Sequence, residues 1–164
     1  MVTRALTLFF TLMLIPAAHA WQSCHSADVK ALKFFTVGKA QLLRQDCRSQ
    51  DLLNAPVRLS FSYFRDVPGS AFAKAAEHFI ELNTSDSQFQ KLKARVEAFN
   101  SHYRDIGDGD TYTLTYDTDG SLVLALNGEP LAREKGDDFA RAYLAIWFGD
   151  DPYSDSLKEN LLGR

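Results

Sequence analysis

The chain has 164 residues, 46% of them hydrophobic, with 18 Lys and Arg against 21 Asp and Glu and a net charge of −3. That acidic balance lacks the basic face phosphate recognition needs, so nucleic acid is excluded as a partner. The length and apolar content suit one domain with one core, and no repeat, low-complexity tract or Pro/Gly/Ser-rich linker divides it.

Residues 1–20 read as a cleaved export signal. Arg4 is the basic n-region, Ala5 to Ile15 is an apolar stretch, and Ala18-His19-Ala20 puts small residues where a signal peptidase cuts. The stretch falls short of the roughly 20 residues that span a bilayer, and no later segment suits a transmembrane anchor. Trp21-Gln22-Ser23 ahead of Cys24 is not the small, apolar run of a lipoprotein. The expected organisation is a signal over 1–20 and a single soluble domain over 21–164, periplasmic or secreted. Cys24 and Cys47 are the two cysteines, and export carries them to an oxidising compartment. A structural disulfide is therefore expected. The rival readings are two free thiols or half a metal site, and no second Cys pair or suitably spaced His supports a metal.

Val29 to Leu43 reads as one or two strands around Gly38 (Val29–Phe35 and Val37–Leu43), and Leu52–Pro56 as a turn. Val57, Leu59, Phe61 and Tyr63 alternate with Arg58, Ser60 and Ser62, the period of a half-buried strand. Ser70 is the expected cap of a helix carrying Phe72, Ala76, Phe79 and Ile80 at helical spacing. Ser85 caps a second helix with Phe89, Leu92, Val96, Phe99 and Tyr103 on one face. Tyr112, Leu114 and Tyr116 alternate in a further strand, and Asp117-Thr118-Asp119-Gly120 turns into Leu122, Leu124 and Leu126. Asn127-Gly128 is a hairpin signal that requires positive φ twice. Pro130 marks the following strand, Glu129–Glu134, as an edge. A third helix ends at Phe148 with Gly149 as its stop, burying Phe139, Ala142, Tyr143, Ile146 and Trp147; a short fourth spans Ser154–Leu162. Strands in meanders and helices in blocks imply α+β architecture: an antiparallel sheet with a layer of helices on one face.

Catalytic signals are lacking. His25, His78 and His102 are scattered, Glu77 and Glu81 suit a solvated helix face, and Asp105–Asp110 reads as a polar turn rather than a calcium loop. There is no nucleophile elbow, phosphate loop or zinc-protease motif. No cofactor, metal site or catalytic residue is expected. The aromatic stock is the informative part: Phe61, Tyr63, Phe72, Phe79, Tyr112, Tyr116 and Trp147 are expected to line the space between sheet and helices, the alternative being that they simply fill the core.

Several short pieces, in order and spacing, resemble the chalcone isomerase-like family in its exported bacterial branch. They are Phe72-x-x-Ala75, Phe99-Asn100, Gly109-Asp110, Asn127-Gly128, Asp138-Phe139-Ala140-x-Ala142, Ile146-Trp147-Phe148-Gly149 and Leu161-Leu162-Gly163, and the resemblance runs from Val29 to Gly163. It implies an open-faced β-sandwich with a ligand cleft between the sheet and its helices. The family's isomerases cyclise chalcones with an arginine early in the sheet, a tyrosine and an asparagine on the first helix, and a threonine near the last strand. Those groups stabilise anionic oxygens. By position the tyrosine falls at Phe72, the asparagine at Phe79 and the threonine near Glu129, while Lys30 is the cation nearest the arginine's place. Phenyl rings make none of the required hydrogen bonds and Glu129 repels an anion, so the isomerase site is expected to be lost.

Other members of the family bind fatty acids through an arginine and a tyrosine. The resemblance therefore implies a ligand site for a fatty acid or similar apolar anion, with Lys30, Lys39 or Arg58 beside Tyr112 and with Phe72 and Phe79 in its wall. The alternatives are an isomerase or lyase with an altered site, or a protein-interaction module whose cleft is closed.

Overall fold

The computed structural model describes residues 20–31, 34–48 and 56–164. Among them six strands form one antiparallel sheet in sequential order: β1 (Gln22–Ala31), β2 (Phe35–Arg44), β3 (Val57–Tyr63), β4 (Thr111–Tyr116), β5 (Ser121–Leu126) and β6 (Glu129–Lys135). Helices α1 (Gly69–Leu82) and α2 (Asp86–Asn100) are inserted between β3 and β4; α3 (Asp137–Phe148) and α4 (Asp155–Leu161) follow β6. The result is α+β, an open sheet with its helices layered on one face.

Strand alternation assigns the two faces. Leu59, Phe61 and Val57 pair with Leu114, Tyr112 and Tyr116, and all six are buried. The intervening pairs, Arg58 with Thr115, Ser60 with Thr113 and Ser62 with Thr111, are half-buried on the open face. Their side chains bond laterally, Arg58 Nε donating to Thr115 Oγ1 at 2.9 Å and Ser62 lying 2.9 Å from Thr111. The helices bury the opposite face with Ile80, Phe99, Phe139, Tyr143 and Leu161, each 3% exposed or less.

Turn chemistry follows the sequence closely. Asn127 (φ 51°) and Gly128 (φ 83°) form the tight β5–β6 hairpin, and β6 is an edge strand. Ser85 caps α2 in a full capping box with Gln88. Asn100 ends α2, so Tyr103 sits beyond the helix while still packing on the core.

The boundaries that differ most from expectation are those of β1 and the start of α1. The first strand runs over Gln22–Ala31 rather than Val29–Phe35, and Phe34 lies in the turn to β2. This strand is an edge with mostly exposed residues, so it carries no alternating signal, and its pairing with β2 is irregular around Cys24 and Val29. Pro68, not Ser70, is the α1 N-cap. The orphan Gly69 N–H is satisfied by Asp105 Oδ1 at 2.8 Å, and a fixed φ near −65° suits proline to that place. The expected Leu52–Pro56 turn and the leader lie outside the described residues, apart from Pro56 and Ala20. Cys24 and Cys47 form a disulfide across 23 residues that ties β1 to the end of β2.

Candidate functional site

A cavity of about 300 Å³ lies between the helix-facing side of β1–β3 and the first turns of α1. Val29, Ala31 and Val37 close the β1–β2 side, and Phe61 and Tyr63 of β3 form the floor. Phe72, Ala75 and Ala76 of α1 form the roof, and Ile146, Trp147, Tyr153 and Leu157 shut the far end. The alanines on α1 make this space: larger side chains at the same helical spacing would fill it.

Aromatic packing fixes the walls. The Phe72 ring stacks on Tyr103 with centroids 5.5 Å apart and meets Tyr63 and Tyr112 edge-on at 5.3 and 5.2 Å. Phe61 lies 5.1 Å from Trp147. Such contacts add directional preference to the burial of large rings.

Polar atoms at the cavity edge come from tyrosines. Tyr103 Oη lies 3.0 Å from Tyr143 Oη, which donates to Asn100 Oδ1 at 2.6 Å. Tyr153 Oη donates to the Lys30 carbonyl at 3.1 Å. Burial pushes the Tyr103 phenol up to about 12 and raises those of Tyr63 and Tyr143 well above the usual phenol range. All three resist ionisation because an apolar wall disfavours the phenolate.

The residues singled out from the sequence do not converge. Phe72 is in the cavity wall. Phe79 lies further along α1, with its ring 5.6 Å from that of Tyr153. Tyr112 packs its ring on Phe72, but its hydroxyl is engaged with Arg104, accepting from the backbone N–H and donating to the carbonyl, both at 2.8 Å. Arg58 is on the open face, bonded to Thr115 and set 4.4 Å from the Trp21 ring, so the sheet separates it from Tyr112. Lys30 and Lys39 are exposed and line a polar depression with Asp28, Ser156 and Asn160 at the β1 edge. Glu129 is exposed on β6, 3.5 Å from Arg104.

Sequence reasoning passed over Tyr103 and Tyr153 as cavity residues, since both lie in irregular segments after helices. It also passed over Arg44, 2% exposed on β2. That side chain lines a second, larger depression of about 820 Å³ with His25, Arg48, Lys158, Arg164 and the disulfide. The alternation of β2, which puts Ala40, Leu42 and Arg44 on the buried face, was the available signal.

Comparison with known proteins bears on fold and ancestry. Residues 39–163 match the family model described as chalcone isomerase-like. No curated protein matches the chain. Among solved structures, the fatty-acid binding protein of Arabidopsis thaliana is similar, with a TM-score of 0.59 and 16% identity over 84% of this chain and 82% of that one. At that identity the likeness establishes the shared fold, the open sheet with its helical layer.

Proposed function

From a chain that belongs to the chalcone isomerase-like family, we propose a non-catalytic binding protein that holds a fatty acid or similar apolar molecule between sheet and helices. The observation that carries this is the cavity of about 300 Å³ under α1, walled almost wholly by apolar and aromatic side chains. Small-molecule sites are concave and apolar with a few polar groups at their edge. A cavity of about 150 Å³ accepts benzene, so this one suits about twelve carbon atoms.

The positions that the family resemblance gives to isomerase chemistry support a non-catalytic role. Phe72 and Phe79 present rings where hydrogen-bonding groups are needed, and Glu129 lies on an edge strand beside Arg104. The cations expected to hold a carboxylate do not line the cavity, so the proposal concerns the apolar part of the ligand.

The same proposal includes export in the manner of a bacterial periplasmic or secreted protein, with residues 1–20 removed and 21–164 folding as one domain. The leader pattern and the Cys24–Cys47 disulfide support it. Among the described residues no helix is long and apolar enough to cross a membrane.

Native mass spectrometry of the full chain, expressed with its leader and recovered from the periplasm, tests the proposal. An adduct of acyl-ligand mass is expected, absent from Ala75→Phe, in which the new ring occupies the cavity. Ligand-free protein that takes up neither added fatty acid nor its methyl ester would defeat it, as would chalcone turnover above background.

A further inference from the structure

We infer that the cavity selects an uncharged oxygen at its ligand's polar end, with the Tyr63 hydroxyl as the donor that recognises it. The inference rests on the binding role just proposed and names the chemical class of ligand that role implies.

The Asn100 amide nitrogen donates to the Ala73 carbonyl at 3.3 Å, which turns its oxygen toward Tyr143. Tyr143 gives its single proton to that oxygen at 2.6 Å. In the 3.0 Å contact between the two phenols, Tyr103 must therefore donate. Tyr103 then offers the cavity only lone pairs. Tyr153 has likewise given its proton to the Lys30 carbonyl. Of the three tyrosines that line the cavity, Tyr63 alone makes no side-chain hydrogen bond among the described residues, so its proton remains for a ligand.

The charge around the cavity acts in the same direction. No Lys, Arg or His is among the described residues lining the cavity. The ionisable groups whose charge would act on the Tyr63 hydroxyl are other phenols: Tyr103 after α2, Tyr153 ahead of α4 and Tyr112 on β4. An anion drawn into this space loses its hydration and gains one hydroxyl in return, a losing exchange. The same surroundings oppose ionisation of Tyr63 itself, chiefly through burial. A neutral oxygen carries no such penalty. It accepts from Tyr63, and where it bears a proton, as in an alcohol or an un-ionised acid, it has the Tyr103 lone pair to donate to.

Isothermal titration of the full-length mature protein with decane, methyl decanoate, decanol and decanoic acid between pH 5 and pH 8 tests this. The ester and the alcohol should bind with pH-independent affinity. Decanoic acid should lose about tenfold per pH unit above its carboxyl pKa, because only the neutral form enters. Tyr63→Phe should weaken ester and alcohol about tenfold and leave decane unchanged. Its unfolding midpoint should not fall, since the deleted hydroxyl has no hydrogen-bond partner among the described residues. Decanoate binding at pH 8 as tight as the ester overturns the inference, as does an unchanged ester affinity in Tyr63→Phe. If none of the four binds, decane included, the cavity itself is not a ligand site, and the inference falls with that role.

Discussion

Tyr143→Phe removes one oxygen from the centre of the buried relay and leaves the surrounding packing almost untouched. The ring keeps its contacts with Phe99 at 5.0 Å and Phe139 at 5.5 Å, so little hydrophobic stabilisation is lost. Asn100, 6% exposed, loses the donor that satisfied its carbonyl oxygen at 2.6 Å. Stranding a buried acceptor costs about 1–3 kcal/mol. Tyr103 loses its acceptor too, but it borders the cavity and can turn its proton there, which softens the second loss. The net expectation is a destabilisation of about 2 kcal/mol, or a midpoint lowered by roughly 4–8 °C for a domain of this size. Urea unfolding followed by tyrosine and tryptophan fluorescence should show it as a lower midpoint at constant slope. A loss under about 0.5 kcal/mol would refute the reasoning, because Asn100 would then be satisfied by some other group.

Replacing both Cys24 and Cys47 by Ser opens a loop of 23 residues and should cost about 3 kcal/mol in the chain-entropy picture, measured by the same unfolding curves. Alkaline pH should destabilise the fold in a defined window. Tyr103 titrates at about 12 in the folded state and near 10 unfolded. Its stabilising contribution is therefore complete below pH 10 and is lost as pH rises toward 12; absorbance of the phenolate together with circular dichroism tracks both events. Gly38→Ala puts a methyl group against the Ser62 carbonyl of the neighbouring strand. It should cost about 1–3 kcal/mol by overpacking, and a neutral effect would show that β2 and β3 can separate without loss.

The parts of the fold legible in the sequence are those fixed by local chemistry. Val57 to Tyr63 alternates because one face is buried, and Asn127-Gly128 turns because both residues sit at positive φ. The start of β1 was hidden because an exposed edge strand needs no apolar period; its ten residues are defined by pairing with β2. The start of α1 was misplaced because Asp105, 36 residues away, supplies the partner that makes Gly69 the first helical residue. The site was less legible than the fold. Phe72 and Tyr63 were identifiable as inward-facing rings. The direction of the Tyr103–Tyr143–Asn100 relay depends on three segments meeting in space. The position of Arg58 also turned on register: one residue of alternation puts it across the sheet from Tyr112.

The central claim is that an apolar ligand sits under α1, and anomalous diffraction from crystals grown with methyl 10-bromodecanoate tests it most directly. A bromine peak is expected inside the cavity bounded by Phe61, Phe72 and Trp147. A peak in the charged depression beside Arg44 and the disulfide, or no peak where solution binding is saturated, would contradict it.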